Sequence, residues 1–140
     1  MEVTLQLDCS GVDWNEVYET LKRVGMAHFS PELHRKAFEA SQATVFAYSE
    51  NRLVGFARAL SDGVCQAAIY DVAVVPEFQR HGIGARLMNA LLSRFTHQNV
   101  ILYAAPGKED FYRKLDMRKL KTGMARFPDA EARAKKGFTD

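Results

Sequence analysis

The chain has 140 residues, of which 47% are hydrophobic and 26% charged, and its formal net charge is +2. This size and composition are typical of one globular domain with a buried core, and we expect a single domain over residues 1–140. The weak charge gives no reason to expect nucleic acid as a partner, and no apolar stretch approaches the roughly 18 residues that cross a membrane.

The two cysteines, Cys9 and Cys65, lie in predicted strand-edge or turn positions and lack the spacing of metal ligands. We therefore predict two free thiols in a reducing cytoplasm, and we predict no metal site. The N-terminus lacks the basic, apolar and small-residue pattern of a secretory signal peptide, which agrees with a cytoplasmic location.

The first half of the chain predicts a strand, two helices and a β-hairpin. A period-two pattern favours a strand over residues 2–8, and two further strands over residues 44–48 and 52–60 form the hairpin. The residues that mark the ends of these elements are Asp13 and Gly25 for the first helix, Ser30 and Pro31 for the second, and Asn51 for the turn of the hairpin. Asp13 and Ser30 are candidate N-caps, and Asn51 tolerates the positive φ that such a turn needs.

The central stretch predicts a strand, a glycine-containing turn and an amphipathic helix. Residues 66–75 are almost wholly apolar, as in a strand covered on both faces, and Pro76 stops them. From Ile83 onward the apolar residues recur at steps of three and four, which predicts a helix. The first N–H groups of a helix attract anions, and Gly82 and Gly84 would let a diphosphate approach the backbone. Alternatively, these glycines serve only tight packing.

Asp71 is the exception in the apolar central strand. A buried carboxylate is costly unless it is paired, so this position needs a reason. One alternative is a salt bridge or a hydrogen bond to nearby backbone. The other is a general base, acting directly or through water, that takes a proton from an amine.

The last third of the chain predicts a strand over residues 99–105, a short helix over residues 108–115 and one or two strands within residues 117–127. Tyr112 lies on the short helix and is either a core residue or a proton donor. Asp116 follows this helix where a left-handed conformation is common, and aspartate tolerates that conformation. Residues 129–140 are polar, and we expect a frayed helix or a disordered tail.

Two motifs resemble the GCN5-related N-acetyltransferases. The spacing Gln79-x-x-Gly82-x-Gly84, after a strand and before a Leu-rich helix, resembles the glycine-rich motif A of that family. Residues 111–117, Phe-Tyr-Arg-Lys-Leu-Asp-Met, resemble the family's Phe-Tyr-x-Lys-Leu-Gly-Phe, with Asp116 in place of the usual glycine. The resemblance covers roughly residues 43–127.

The resemblance implies an α/β fold in which a mixed, twisted sheet has helices on both faces. It implies transfer of an acetyl group from acetyl-CoA to a primary amine in a ternary complex, with Tyr112 protonating the thiolate and Asp71 as one candidate base. The implied cofactor-binding residues are Val72, Ala73 and Val74 for the pantetheine arm, and Gln79, Arg80, His81, Gly82, Ile83, Gly84 and Ala85 for the pyrophosphate. The alternative is a non-catalytic module that binds coenzyme A as a sensor or partner-binding subunit.

In the family, the two N-terminal helices and their link shape much of the acceptor site, which makes Met26, His28 and Phe29 the implied substrate-binding residues. The alternative places Met26 and Phe29 in the core and His28 on the surface. Phe29, Met26 and Met124, without an acidic cluster, favour an aromatic or apolar amine, although peptide amines stay open. An aminoacyl-tRNA acceptor would need a basic stripe that the C-terminal basic residues do not form. An unfinished sheet edge could be completed by a second copy, so a homodimer is one expectation.

Overall fold

The computed structural model describes residues 2–140. Contacts divide the chain after Leu102 into two compact units, and each is described by itself below. The expectation of a single domain over residues 1–140 stays a prediction.

The first unit is built on a mixed sheet. Within residues 2–140 the strands are β1 (Thr4–Gln6), β2 (Ala43–Ser49), β3 (Arg52–Ser61), β4 (Gln66–Val74) and β5 (Asn99–Ile101). They lie in the order β1-β2-β3-β4-β5. All neighbours are antiparallel except β4 and β5, which are parallel. The helices of this unit are α1 (Trp14–Arg23), α2 (Pro31–Glu39) and α3 (Ile83–Leu92), and a 3-10 turn spans Pro76–Phe78.

Helices pack on both faces of the sheet, as the alternation of side chains along β3 shows. Phe56 is fully buried in a core cluster with α1 and α2, where its ring meets Phe38 edge to face at 5.8 Å. A Cβ placed on the preceding Gly55 would point the other way, toward Ile83 and Leu87 of α3. Successive strand residues face opposite sides of a sheet, so the two neighbours belong to two separate helical layers. The predicted fold class is confirmed.

The contact between Gly55 and α3 leaves little room for a side chain. A Cβ at this position would lie 3.0 Å from the carbonyl oxygen of Ala73 and 3.1 Å from Cδ1 of Leu87. The oxygen belongs to the backbone of β4, so it cannot move without disturbing the sheet. We therefore expect Gly55→Ala to lower the free energy of unfolding by about 1–3 kcal/mol, as overpacking does, measured by urea denaturation.

Gly123→Ala is the matched control for this change. A Cβ there would meet only the side chain of Leu120, at 3.3 Å, and that side chain is 57% exposed and can move. We expect a change within about 0.5 kcal/mol, as for other surface substitutions. Equal stability of the two variants would contradict the close packing of α3 on β3.

The predicted local signals are confirmed. Asp13 accepts the N–H of Asn15 at 2.9 Å and caps α1, and Ser30 accepts the N–H of Leu33 at 3.1 Å and caps α2. Gly25 ends the first helix with φ of 76°. In the β2–β3 hairpin, Glu50 and Asn51 both have positive φ, 49° and 67°, which is the geometry of a two-residue turn that follows the twist of its strands.

Several predicted strand bounds are wrong. β1 covers only Thr4–Gln6 of residues 2–8, and β5 covers only Asn99–Ile101 of residues 99–105. β4 is not fully covered on both faces, because Tyr70, Asp71 and Val72 are half-buried. Because β5 is short, the second half of β4 has no strand partner on its β5 side within residues 2–140, while its other edge stays paired with β3.

The second unit contains two short helices, α4 (Glu109–Arg113) and α5 (Ala130–Lys135). The helix predicted over residues 108–115 is therefore confirmed, and the C-terminal residues form a helix capped by Asp129 rather than a disordered tail. The strands predicted within residues 117–127 are wrong, since residues 103–140 contain no strand. Met117, Leu120 and Met124 are spaced by three and four, so they do not alternate as strand residues do, and Met124 is 95% exposed.

Cys9 and Cys65 are not joined in a disulfide, as predicted. Across residues 2–140, no helix is both long enough and apolar enough to cross a membrane.

Candidate active site

Strand β4 carries a β-bulge near its centre. The register between β3 and β4 shifts between Phe56 and Arg58, and the extra residue lies in β4 at residues 71–72. Asp71 adopts a left-handed conformation there, with φ of 57°, which aspartate tolerates better than most residues. A bulge leaves one residue outside the ladder and bends its strand, so β4 changes direction at this point.

Strand β5 pairs with only the first part of β4. They pair in parallel over the first three residues of β4, and β5 ends at Ile101 while β4 continues to Val74. The predicted pantetheine-binding residues Val72, Ala73 and Val74 lie in this continuation. Backbone groups of an unpaired strand edge can pair with an extended ligand in the way they would pair with another strand.

The turn from β4 to α3 presents the beginning of the helix. Arg80 and Gly82 are left-handed, with φ of 67° and 77°, and the first bond within α3 runs from the N–H of Arg86 to the carbonyl of Gly82 at 3.1 Å. The N–H groups ahead of this bond belong to Ile83, Gly84 and Ala85. Gly82 has no side chain that could cap them, so the turn exposes the partial positive charge of the helix N-terminus.

A side-chain hydrogen bond connects this turn to the end of β4. The side-chain amide of Gln79 donates to the carbonyl of Val74 at 3.0 Å. His81 donates from Nδ1 to the carbonyl of Gln79 at 2.8 Å. Arg80 and His81 are exposed, so their side chains can reach a ligand in solvent. The predicted pyrophosphate residues thus form one continuous structure with the predicted pantetheine strand.

Glu77 anchors the start of the same turn. Its carboxylate pairs with Arg23 at the end of α1 and, at 3.1 Å, with Arg52 at the start of β3. The hydrogen bond from Arg23, with help from the charge of Arg52, lowers the pKa of Glu77 to about 2. Glu77 therefore stays charged at neutral pH and connects the turn to a helix and a strand.

Asp71 is paired. Nε of Arg58 donates to its Oδ2 at 2.7 Å, and both side chains are about one-fifth exposed or less. The Arg58 guanidinium also lies over the rings of Tyr70 and Phe38, at 5.4 and 5.7 Å from their centroids. The salt bridge that the sequence left as one alternative for Asp71 is therefore present, while its role as a base stays a prediction.

The link between α1 and α2, residues 24–30, carries an aromatic cluster. The ring of Tyr18 meets His28 at 5.6 Å, and the ring of Phe29 meets His34 at 5.8 Å. Phe29 is 69% exposed, so the core position considered for it is wrong. Met26 is half-buried against the core cluster, and His28 is exposed.

Tyr112 lies in the second unit on α4. Its ring meets that of Phe111 at 4.9 Å, and its carbonyl accepts the N–H of Met117 at 3.2 Å across the end of the helix. Asp116 is left-handed there, with φ of 64°, as predicted. Burial raises the pKa of Tyr112 above its ordinary value, so the phenol keeps its proton at neutral pH.

Sequence reasoning missed Arg58 and His34. An arginine within the apolar strand β3 was a signal for a buried charge partner, and Asp71 was the candidate. His34 gave no signal, because it stands among charged residues on α2 and yet is 3% exposed. The bulge gave a weak signal, since an aspartate in an apolar strand is compatible with positive φ.

Comparison with known families decides the class of the protein. The model of the acetyltransferase (GNAT) domain matches residues 15–125. The chain belongs to this family. Residues 15–125 are therefore a GNAT acetyltransferase domain.

Relatives of this GNAT domain include serotonin N-acetyltransferase 2, chloroplastic, of rice, which is 35% identical over 86% of this chain and 60% of its own length. The chain thus spans about three-fifths of this relative. Among solved structures, a probable acetyltransferase of Staphylococcus aureus has a TM-score of 0.80 at 22% identity, over 90% of this chain and 99% of its own. A GNAT-family acetyltransferase of Streptococcus pneumoniae has a TM-score of 0.76 at 26% identity, over 90% and 98%.

Proposed function

We propose that this domain transfers an acetyl group from acetyl-CoA to the primary amine of an aromatic small molecule. The observation that carries the proposal is the continuation of β4 beyond the end of β5, followed in the chain by the uncapped N-terminus of α3. The unpaired edge of β4 suits the extended pantetheine arm, and the N-terminus of α3 suits the diphosphate. Coenzyme A carries these two groups in the same order.

The residues of this chain fit acetyl-CoA. The N–H groups of Ile83, Gly84 and Ala85 would hold the diphosphate, with Arg80 adding positive charge and His81 lying beside it in the chain. A Cβ placed on Gly82 would meet no atom within 4 Å, so the space before the turn is open. The backbone of Val72, Ala73 and Val74 would pair with the amides of the pantetheine arm, which makes that contact independent of side-chain identity.

Bound acetyl-CoA supplies an acetyl thioester activated for attack by an amine. The N–C bond forms as the C–S bond breaks, so the amine must lose one proton and the sulfur must gain one. We assign the donated proton to Tyr112, whose phenol is protonated at neutral pH. Holding both substrates in one site makes the attack effectively unimolecular, which is the largest aid that the domain can give.

The group that accepts the proton from the amine is Asp71, a water molecule or His28. Asp71 is paired with Arg58, and that pairing fixes the position of its carboxylate. The salt bridge and the base role are compatible if the carboxylate acts through a water molecule. His28 is exposed on the α1–α2 link and holds Met26 through Nδ1, which leaves Nε2 for a proton.

An aromatic acceptor is supported by the side chains around the α1–α2 link. Tyr18, His28, Phe29 and His34 form a set of rings that meet at 5.6 to 6.3 Å. Aromatic rings stack on one another and attract ammonium groups, so such a surface suits an arylalkylamine. The name of the rice relative, a serotonin N-acetyltransferase, agrees with this class of acceptor.

An amine panel tests this proposal. We expect release of the coenzyme A thiol with serotonin, tryptamine and phenylethylamine, and slower release with spermidine or with a peptide bearing a free N-terminus. Phe29→Ala should raise KM for serotonin about three- to tenfold, the loss of roughly 0.5–1.5 kcal/mol of ring stacking. Val64→Ala is the control, because Val64 is also exposed but lies in the β3–β4 turn.

Preference for spermidine or the peptide would contradict the acceptor class. Binding of acetyl-CoA without thiol release for any amine would instead support the alternative, a non-catalytic module that binds coenzyme A. A cytoplasmic location and a homodimer stay predictions, and the rice relative is described as chloroplastic.

A further inference from the structure

His34 connects the α1–α2 link to helix α2. It is 3% exposed, and its Nε2 accepts a hydrogen bond from the backbone N–H of Phe29 at 3.0 Å. A ring nitrogen accepts only when it carries no proton, so this contact requires the neutral imidazole with its proton on Nδ1. The bond therefore holds Phe29 only while His34 is uncharged.

Groups on four other elements face His34. These are Tyr18 on α1, His28 on the link, Arg58 on β3 and Asp71 on β4. Burial lowers the pKa of His34 below its ordinary value; the Asp71 carboxylate opposes this shift, while His28 and Arg58 add to it. The imidazole is thus neutral at neutral pH and becomes charged only under acid conditions.

We propose that His34 is a positioning residue that fixes the α1–α2 link, and with it the ring of Phe29, for the acceptor amine. The inference rests on the proposed function, which makes the link a wall of the acceptor site. Protonation would place a second donor, Nε2–H, against the N–H of Phe29, so the hydrogen bond would be replaced by repulsion. The α1–α2 link would then hold its position only in the fraction of the protein in which His34 is neutral.

This role predicts a pH signature in one kinetic constant. Apparent affinity falls in proportion to the competent fraction, so KM for the amine should rise about tenfold for each pH unit below the pKa of His34. Because that pKa lies below the ordinary value, the rise appears only as pH falls under about 6.5. KM for acetyl-CoA and kcat should not follow the same titration.

The first arm of the test does not depend on activity. Heteronuclear NMR of the full chain follows the ring nitrogens of His34 and the backbone amide of Phe29 from pH 8 to pH 5. We expect one titration to appear at both, with hydrogen exchange at the Phe29 amide accelerating as His34 is protonated. If neither the NMR signal nor the hydrogen exchange of the Phe29 amide changes as His34 titrates, the proposal is overturned.

The second arm compares wild type with His34→Gln, using serotonin as the acceptor. The glutamine carbonyl can accept the N–H of Phe29 but does not titrate. The ratio of the two KM values at each pH cancels the ionisation of the amine, and we expect this ratio to rise steeply in acid. His97→Gln, in the α3–β5 connection, is the control and should match wild type throughout.

The outcomes separate the inference from the proposed function. A His34→Gln profile parallel to wild type, with coupled titration in the NMR arm, would make His34 merely structural and overturn the positioning role. Failure to acetylate any amine would refute the proposed function and remove the acceptor from the inference, while the NMR arm would still decide whether His34 holds the link.

Discussion

Replacing Gly84 with aspartate is expected to lower the affinity for acetyl-CoA at least tenfold without destabilising the fold. Gly84 is in the first turn of α3, where its N–H would face the diphosphate. An added carboxylate repels that diphosphate, and two like charges about 4 Å apart near a surface cost about 4 kcal/mol, well above the roughly 1.4 kcal/mol of a tenfold loss. Calorimetric titration of acetyl-CoA measures the affinity.

The same substitution should leave thermal stability equal or higher. Aspartate in the first turn interacts favourably with the helix dipole, by about 0.3–1 kcal/mol, and loss of a helical glycine removes a cost of about 0.5–1 kcal/mol. A lower affinity in a protein that melts no earlier than wild type cannot be a folding defect. Lower affinity for acetyl-CoA combined with equal or higher thermal stability is specific to an anion site at a helix N-terminus.

Gly84→Asn is the matched control, since it has the shape of aspartate without the charge. Its side chain also limits the approach of the diphosphate, so it should bind acetyl-CoA more weakly than wild type but more tightly than Gly84→Asp, and the difference in affinity between the two variants should narrow as salt is added. If both variants bind equally well at low ionic strength, the turn does not hold the diphosphate and the cofactor assignment fails.

Tyr112→Phe is expected to lower kcat about 100-fold while leaving KM for both substrates within twofold of wild type. The phenol is the proposed donor of the proton that the sulfur gains, and general acid catalysis typically contributes at least this factor. Burial raises the pKa of Tyr112, so the acid form persists through neutral pH and is lost only as pH rises through that raised value. The wild-type kcat should therefore fall at high pH, and the variant should lack this fall.

Tyr103→Phe removes a phenol hydroxyl at another position of the second unit and is the control for Tyr112→Phe. The ring of Tyr103 meets Phe127 at 5.5 Å and Phe138 at 5.9 Å, contacts that phenylalanine keeps. We expect its kcat to stay within twofold of wild type. Retention of wild-type kcat by Tyr112→Phe would mean that water protonates the sulfur.

The elements that sequence predicted best are those fixed by neighbours in the chain. The N-caps Asp13 and Ser30 act on N–H groups two or three residues away. The left-handed positions of Asn51 and Asp116 follow from their own backbone preferences. The two family motifs are equally local, so the GNAT family was identifiable before the fold was known.

The strand predictions were wrong where no local rule applies. A strand exists only if a partner pairs with it, and nothing within residues 99–105 tells where the pairing with β4 ends. Residues 117–127 contain apolar side chains, but their spacing does not alternate, and no strand forms there. The bulge in β4 depends on a shift in register against β3, which a single strand's sequence does not encode.

The sequence by itself determined the family, the order of most elements and the glycine turn at α3, because each depends on spacing within a few residues. Only the tertiary structure decided the partners of the polar groups at the centre of the site. Arg58 meets Asp71 across two strands, and His34 meets Phe29 because α2 folds back on its own link. Such contacts depend on how strands and helices are placed in space, and burial then makes each of them costly to lose.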